Sequence, residues 1–166
     1  GGMEMFREMR RKKQLLPDEV SREILERNTS GVLSLMGDEG YPYGVPLSYV
    51  LVGDKIFFHC AKEGHKIDAI RNCEKASFCV IDQDQIVSEE YTTYFRSVIA
   101  FGRVHILESD EEKLRAIRIL AGKYSGDQGE EGINMEIGKH FANLCMLQFD
   151  IEHLTGKEAI ELVRMR

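Results

Sequence analysis

Apolar and polar residues alternate along this chain in short segments separated by turn residues, a pattern typical of antiparallel β-strands. Gly53 and Asp54 form a predicted hairpin turn, and Pro42 and Pro46 place one strand at a sheet edge or a bulge. Gly102 is a predicted bend within a long strand. We therefore expect six strands, at residues 31–37, 41–52, 55–60, 75–82, 92–107 and 144–151.

Helical patterns lie before and between these strands. Residues 16–28 predict a helix that begins near Pro17, and residues 109–124 predict a second helix with Ser109 as its N-cap. Residues 6–13 are predicted to form a positively charged surface helix, and residues 125–132, SGDQGEEG, a flexible polar loop. Strands joined by short turns, with helices at the periphery, predict a mainly β fold. A small antiparallel barrel fits this order better than a parallel sheet, which needs a helix at almost every crossover.

Composition narrows the class of protein. A chain of 166 residues fits one domain, and Gly1 and Gly2 ahead of Met3 are interpreted as a cloning remnant, which leaves a single domain at residues 3–166. The net charge of −6 argues against a broad nucleic-acid surface. No apolar run approaches the roughly 20 residues of a membrane span. We therefore expect no nucleic-acid or membrane partners. The four cysteines are not arranged as a redox or zinc motif, so a reducing cytosol is the simplest location and a cytoplasmic protein is expected.

The four cysteines form no CxxC pair and have no histidine at zinc-finger spacing. No metal site is therefore predicted.

A polar loop between an apolar strand and a helix is the most informative local feature. Residues 56–58 are apolar, residues 60–64 are small or charged, and a short helix begins near Gly64 or His65. The first amides of a helix lack intrahelical partners and carry the positive end of its dipole, so they can bind an anion such as phosphate. Lys66, with His65 beside it, would add a cation. The alternative is that both are ordinary solvated residues of a surface helix.

Three segments carry a resemblance to a known family: VPLSYV at residues 45–50, FFHCAKEGHKIDAIRN at residues 57–72 and YFRSVIAFGRV at residues 94–104. Together they resemble the flavin-binding split barrels related to pyridoxamine 5′-phosphate oxidase, and within that group the 5-nitroimidazole resistance proteins. The resemblance runs from FREMRRKKQLL near the start to HLTGKE around Thr155. It implies a six-stranded antiparallel split barrel that binds FMN at a homodimer interface.

The resemblance also implies roles for particular positions. Residues of the second strand would run beside the flavin ring, and the end of the third strand with its following loop would line the ring and the ribityl chain. The helix start would hold the phosphate, and residues of the fifth strand would complete the pocket, often from the partner chain. The implied FMN-binding residues are Pro46, Leu47, Ser48, Tyr49, Val50, His59, Cys60, Ala61, Lys62, Gly64, His65, Lys66, Arg96 and Ser97.

His59 is the predicted catalytic residue. In the pattern of the nitroimidazole resistance proteins, a histidine at this place faces the pocket next to the flavin, where it could supply a proton as electrons arrive. The alternative is that His59 is a structural histidine at the end of a strand. Cys60 could in turn be merely a small neighbour of the ring.

The resemblance leaves two functions open. The first is an FMN-dependent oxidoreductase, like a nitroimidazole reductase, that passes electrons from a reduced nicotinamide or another donor to a small acceptor. The sequence has no GxGxxG, so such a donor would bind transiently. The second is a binding protein that holds flavin or haem for storage, sensing or electron relay, with His59 or His65 as a possible axial ligand.

Two departures from the family pattern matter. The final segment EAIELVRMR lacks the arginine-rich substrate pattern of the oxidase proper, so vitamin B6 oxidation is not expected. His65 also stands where an arginine is common in the phosphate loop, so it carries a cation only part of the time near pH 7.

Overall fold

The computed structural model describes residues 5–166, and the predicted cloning remnant, Gly1 and Gly2, lies outside them. Within the described residues, seven strands form one antiparallel sheet in the order β2-β1-β5-β6-β7-β4-β3. Helices lie around it, which confirms the predicted mainly β, antiparallel fold. The strands are β1 (Ser30–Met36), β2 (Pro42–Ser48), β3 (Val50–Val52), β4 (Lys55–Ala61), β5 (Lys75–Val87), β6 (Thr92–Ile106) and β7 (Leu144–Glu158). The helices are α1 (Asp18–Arg27), α2 (His65–Asn72), α3 (Asp110–Ser125), α4 (Gly129–His140) and α5 (Ile160–Arg164).

The strand predicted at residues 41–52 is two strands that lie at opposite edges of the sheet. β2 pairs with β1, and β3 pairs with β4, although only Tyr49 separates β2 from β3 in the chain. The Tyr49 ring is fully buried and its hydroxyl donates a hydrogen bond to the carbonyl of Leu25, so the chain is fixed where it changes edge. The predicted count of six strands is therefore wrong. The sheet has seven, and the two edges are joined by the chain rather than closed by hydrogen bonds.

The prolines and Gly102 behave as their positions predicted. Pro42 and Pro46 lie in β2, which is an edge strand. Proline is tolerated there because one side of an edge strand has no neighbouring strand to which an amide must donate. Gly102 marks a register shift between β6 and β7, and a Cβ built there would lie 2.0 Å from the carbonyl oxygen of Asp150. The close approach of the two backbones therefore requires glycine at this bulge.

Two apolar clusters hold the fold together. The first fills the interior of the curved sheet, with fully buried Leu33, Phe58, Phe78 and Phe149 among its members. The second lies outside the sheet, where α3 and α4 cover the outer face of β4 and the start of β7. The outer face of β1, β5 and β6 has no such cover from α3 and α4. The sheet thus has one outer region packed against helices and another that keeps exposed apolar side chains.

Two local predictions are wrong. The basic segment at residues 6–13 contains one 3₁₀ turn, Lys12–Gln14 at its end, and is otherwise non-helical. The predicted loop at residues 125–132 is instead a 3₁₀ turn, Gly126–Gln128, followed by the start of α4. Acidic residues in the first turn of α4 favour its positive end, and Ile137 is buried against the second cluster. The helix is therefore stabilised by the packing of Ile137, which lies beyond residues 125–132.

Within residues 5–166, no helix combines the length and the apolar character that a membrane crossing needs.

Candidate functional site

The N-terminus of α2 presents free backbone donors. The chain leaves β4 at Ala61 and reaches α2 through Gly64, whose φ of 135° is a conformation that side chains rarely adopt. The first intrahelical bond runs from the Asp68 amide to the Gly64 carbonyl at 3.1 Å, so the amides before it have no partner within the helix. No side chain of residues 5–166 caps this end. An anion placed here would meet both the free amides and the positive end of the helix dipole.

Lys66 and His65 lie differently at this helix start. Lys66 is half-buried and forms no salt bridge within the described residues. The His65 ring stacks on Tyr43 at 4.0 Å between centroids, and its Nε2 accepts a 3.4 Å hydrogen bond from the Asp38 amide. His65 is thereby tied to the turn between β1 and β2. Lys66 is the side chain whose ammonium group is available to a bound anion.

The residues at the end of β4 alternate between the two faces of the sheet. His59 is exposed on the outer face, opposite Met146 of β7. Cys60 points into the barrel, where it is buried opposite Cys145. Burial raises the pKa of the Cys60 thiol to about 12, and Cys145 beside it adds to this more than nearby Lys66 counteracts it. His59 therefore has access to a ligand on the outer face, whereas Cys60 is a neutral core thiol. Ala61 and Lys62 follow at the exposed end of the strand.

The same alternation divides the predicted residues of the second strand. Pro46 and Ser48 are exposed on the outer face, and Leu47 packs against the barrel core. Tyr49 and Val50 are buried. Two side chains of the five are thus open to a ligand.

The backbone of Tyr49 is also occupied. Its carbonyl accepts hydrogen bonds from the Tyr124 hydroxyl at 2.6 Å and from Lys123 Nζ at 3.1 Å, both on α3. The amide of Tyr49 donates to the Tyr124 hydroxyl at 3.0 Å. These bonds attach the C-terminal end of α3 to the point where the chain changes edge. They fix one side of the space above β2 and β4.

Arg96 and Ser97 lie away from the α2 site within one chain. Arg96 Nε donates to Glu158 Oε2 at 3.0 Å. Glu158 is the last residue of β7, whereas Met146, which pairs with His59, lies near the start of that strand. Arg96 Nη1 donates to Asp82 at 3.2 Å. The neighbouring Ser97 is half-buried and pairs with Ile81. The structure of one chain does not bring these two residues to the other predicted site residues.

A cavity of about 600 Å³ lies between the outer face of the sheet and the helices α3 and α4. This volume falls in the range of small-molecule sites, which are mostly apolar with a few polar groups. Its floor and helix walls are mainly aliphatic. The apolar lining residues are Ile117, Leu120, Ala121, Ile133, Ile137 and Leu144.

Polar side chains lie on both walls of this cavity. Ser48 and His59 line it from the sheet, and Gln128, Glu136 and His140 line it from α4 and the turn before it. His140 Nε2 lies 3.0 Å from Glu136 Oε1, one helical turn away. The cavity therefore places polar groups of α4 opposite two of the sequence-predicted residues.

Sequence reasoning missed the α4 residues because residues 125–132 were predicted as a loop and residues 133–143 were assigned no element. The apolar residues Ile133, Ile137 and Phe141 recur at intervals of four, which is a helical pattern. That spacing could have identified the helix.

Among the described residues, no group of three or more His, Cys, Asp or Glu side chains could hold a metal ion.

Comparison with known proteins places residues 17–158 in the span of a family model described as pyridoxamine 5′-phosphate oxidase. Among solved structures, a candidate 5-nitroimidazole antibiotic resistance protein from Bacteroides thetaiotaomicron matches with a TM-score of 0.70 at 21% identity, covering 87% of this chain and 86% of that one. An FAD-binding protein from Mesorhizobium loti matches with a TM-score of 0.65 at 24% identity, over 88% and 97% of the two chains. An FAD and haem binding protein from Mycobacterium smegmatis matches with a TM-score of 0.69 at 19% identity, over 89% and 73%.

These structural likenesses concern the fold. A comparison with curated proteins found no match.

Proposed function

The chain belongs to the pyridoxamine 5′-phosphate oxidase family, and from this we propose that it is an FMN-dependent oxidoreductase that passes electrons from a reduced nicotinamide to a small acceptor, as a nitroimidazole reductase would. One observation carries the proposal. The uncapped start of α2, with Lys66 in its first turn, follows directly on the strand whose exposed His59 lines the cavity. The candidate anion site and the cavity, whose volume suits a small molecule, are therefore only a few residues apart in the chain.

The residues at this place fit FMN. The free amides of α2 and the ammonium group of Lys66 would hold the phosphate, and Gly64 leaves the space beside it open because a Cβ there would meet no atom within 4 Å. The exposed side chains of Pro46, Ser48 and His59 would lie toward the ring system. The buried Cys60 would pack beneath the site, in the barrel core, and would not contact the flavin. His65, stacked on Tyr43, would hold the loop rather than the phosphate.

Bound flavin would supply two-electron transfer between the donor and the acceptor. With a nitro compound the balanced reaction is NAD(P)H + H⁺ + R–NO₂ → NAD(P)⁺ + R–NO + H₂O. The protein must then deliver a proton to the acceptor oxygen. His59 is suited to this because its imidazole reaches the cavity and remains in contact with solvent, from which it can be protonated again.

A homodimer belongs to the same proposal. Val32, Cys79 and Ile99 occupy matching positions across β1, β5 and β6 on the outer face, and Pro46 continues the row on β2. Val32 and Ile99 are 41% and 40% exposed, and apolar rows of this kind are typical of protein interfaces. A second copy that covered this row would supply Arg96 and Ser97 from its own β6, which the single chain keeps apart from His59.

The absorption spectrum of the purified protein, followed by acid release of any chromophore, tests the cofactor. We expect FMN, and uptake of added FMN by protein purified without it. A colourless protein that takes up no FMN would overturn the proposal. Turnover is then measured anaerobically with NADH or NADPH and 2-methyl-5-nitroimidazole, and light scattering gives the mass in solution. Ile99→Asp should shift the protein to the monomer, whereas Met135→Asp, at another exposed apolar residue, should not.

A second function, a flavin- or haem-binding relay without its own substrate, has one observation in its favour. His59 and His140 line the same cavity from opposite walls, and an imidazole is a common axial ligand of haem iron. A Soret band would favour this function. Bound flavin that neither nicotinamide reduces at a useful rate would also favour it.

A further inference from the structure

One face of α4 and the turn before it has an arrangement that packing alone does not explain. Gln128, Gly132, Glu136 and His140 lie four residues apart, and all of them line the cavity opposite Ser48 and His59. The adjacent Ile133 and Ile137 complete the apolar part of this wall. The helix thus presents a polar stripe with a gap at Gly132.

Gly132 has no local reason to be glycine. It lies inside a helix, where glycine is less stable than alanine, and its φ is outside the left-handed region. A Cβ built on it would lie 3.5 Å from the Gln128 Cβ, an ordinary contact. Neither the backbone nor a neighbouring atom therefore requires the missing side chain. Its effect is to leave free space in the cavity wall.

Glu136 and His140 form the polar end of the stripe. The carboxylate of Glu136 lies 3.0 Å from His140 Nε2 and 3.8 Å from Lys139 Nζ. Both side chains are more than half exposed, so the pair is open to a ligand in the cavity as well as to solvent. Because the carboxylate can only accept, Nε2 donates to Glu136, and the other ring nitrogen, Nδ1, donates to a ligand that carries an acceptor oxygen when the ring is protonated.

We propose that α4 is the acceptor-binding wall of this protein: Gly132 sets the size of acceptor that fits, and the Glu136–His140 pair positions its polar end. The chemistry of the lining selects a compound with an apolar body, which the aliphatic side chains cover, and a hydrogen-bond-accepting oxygen at one end. This inference rests on the proposed oxidoreductase function. It adds the residues that choose the acceptor, which lie on a different element from the proposed flavin site.

The test compares Gly132→Leu with Gly138→Leu, on the same helix but outside the cavity lining. For Gly132→Leu we expect the KM for menadione and for 2-methyl-5-nitroimidazole to rise about tenfold or more, because small changes in pocket volume discriminate strongly. The kcat at saturation and the Kd for FMN should stay within about twofold of those of the parent protein. Gly138→Leu should change none of these. Equal effects of the two substitutions would overturn the proposal, as would a loss of FMN affinity with an unchanged KM for the acceptor.

The polar pair is tested separately. His140→Gln and Glu136→Gln should raise the acceptor KM about threefold to tenfold, the value of one neutral hydrogen bond, and leave the Kd for FMN unchanged. The matched control is His105→Gln, since His105 also faces a carboxylate, Asp150 at 3.7 Å, but lies outside this cavity. An acceptor KM that responds to His105→Gln as much as to His140→Gln would contradict the role of α4.

Direct binding separates this inference from the proposed function. In ¹H–¹⁵N spectra of the full-length protein, added menadione should shift the amide signals of α4 more than those of α5, and Gly132→Leu should abolish the shifts. This result would support the acceptor wall even if no nicotinamide supported turnover. Absence of shifts in α4, in a protein that does reduce menadione, would overturn the wall and leave the oxidoreductase function intact.

Discussion

Asp82 offers a direct test of what stabilises this fold. It is the extra residue at a β-bulge, between the paired residues Ile81 and Gln83, and its side chain is only 8% exposed. The carboxylate accepts hydrogen bonds from Arg27 Nε at 3.0 Å and from Arg96 Nη1 at 3.2 Å. Arg27 Nη2 donates a third at 2.5 Å, and Asn28 donates a fourth at 2.8 Å. The bulge thereby turns one acidic side chain of β5 toward the end of α1 and toward β6.

The pKa of Asp82 gives the size of this contribution. Burial by itself would raise the pKa, but the hydrogen bonds from Arg27, Asn28 and Arg96 outweigh burial and lower it to about 2 from the ordinary 3.8. A shift of this size corresponds to about 2.5 kcal/mol in favour of the ionised folded state. Because Arg27 is half-exposed and its contact is screened by water, we expect Asp82→Asn to lower the free energy of unfolding by about 1–2 kcal/mol. The melting temperature should fall by about 2–8 °C.

The pH dependence has a definite sign. Since the folded-state pKa lies below the unfolded one, the stabilisation is complete above about pH 4 and is lost as the pH falls through about 2. Urea unfolding followed by circular dichroism at pH 7, 5, 4 and 3 measures it. The control is Asp84→Asn, an exposed residue of the same strand without a salt bridge in the described part of the chain. A loss no larger than that of the control, or a difference between Asp82→Asn and the parent that does not shrink toward pH 3, would refute the reasoning.

Three further predictions concern the site and the sheet. Lys66→Ala should weaken FMN binding by about 1.5–3 kcal/mol in a fluorescence titration, as loss of a charge-assisted phosphate contact would, and Lys75→Ala should not. Gly102→Ala should cost about 3 kcal/mol in urea unfolding because its Cβ would collide with the opposite strand, whereas Gly122→Ala in open space on α3 should stabilise by about 0.5–1 kcal/mol. Cys60, with its pKa raised to about 12 chiefly by burial, should resist a disulfide reagent at pH 8 until the protein is unfolded; rapid reaction in the native state would contradict this.

The strands were predictable because each carries its own signal. Alternation along β1, β5 and β6 and the hairpin at Gly53 reflect local rules that hold before the chain folds. The start of α2 was predictable for the same reason, since the change from apolar strand to polar loop is contained in a few residues. These features predicted the fold class correctly and the position at which α2 begins.

The errors lie where distant packing decides. Tyr49 ends β2 because its ring enters the barrel core and its backbone is bonded to α3, which no local pattern records. α4 forms on a glycine- and glutamate-rich tract because Ile137 finds a buried place against α3 and the sheet. Helix propensity alone would not have predicted it. At Tyr49, contacts distant in sequence override the local preference. At α4, they stabilise a helix that only the spacing of its apolar residues indicates.

The alternation of a strand also decides which predicted site residues can act on a ligand. The resemblance marks contiguous runs, but along β2 and β4 the side chains of Pro46, Ser48 and His59 point outward, and those of Leu47 and Cys60 point into the barrel. Of the outward set, Ser48 and His59 line the cavity between the sheet and α4, and no inward side chain of these runs does. A substitution at an outward position should therefore change affinity or turnover, and one at an inward position should change stability first. Within one segment of the family motif, the face of the strand on which a residue lies thus decides whether it contacts the ligand or stabilises the fold.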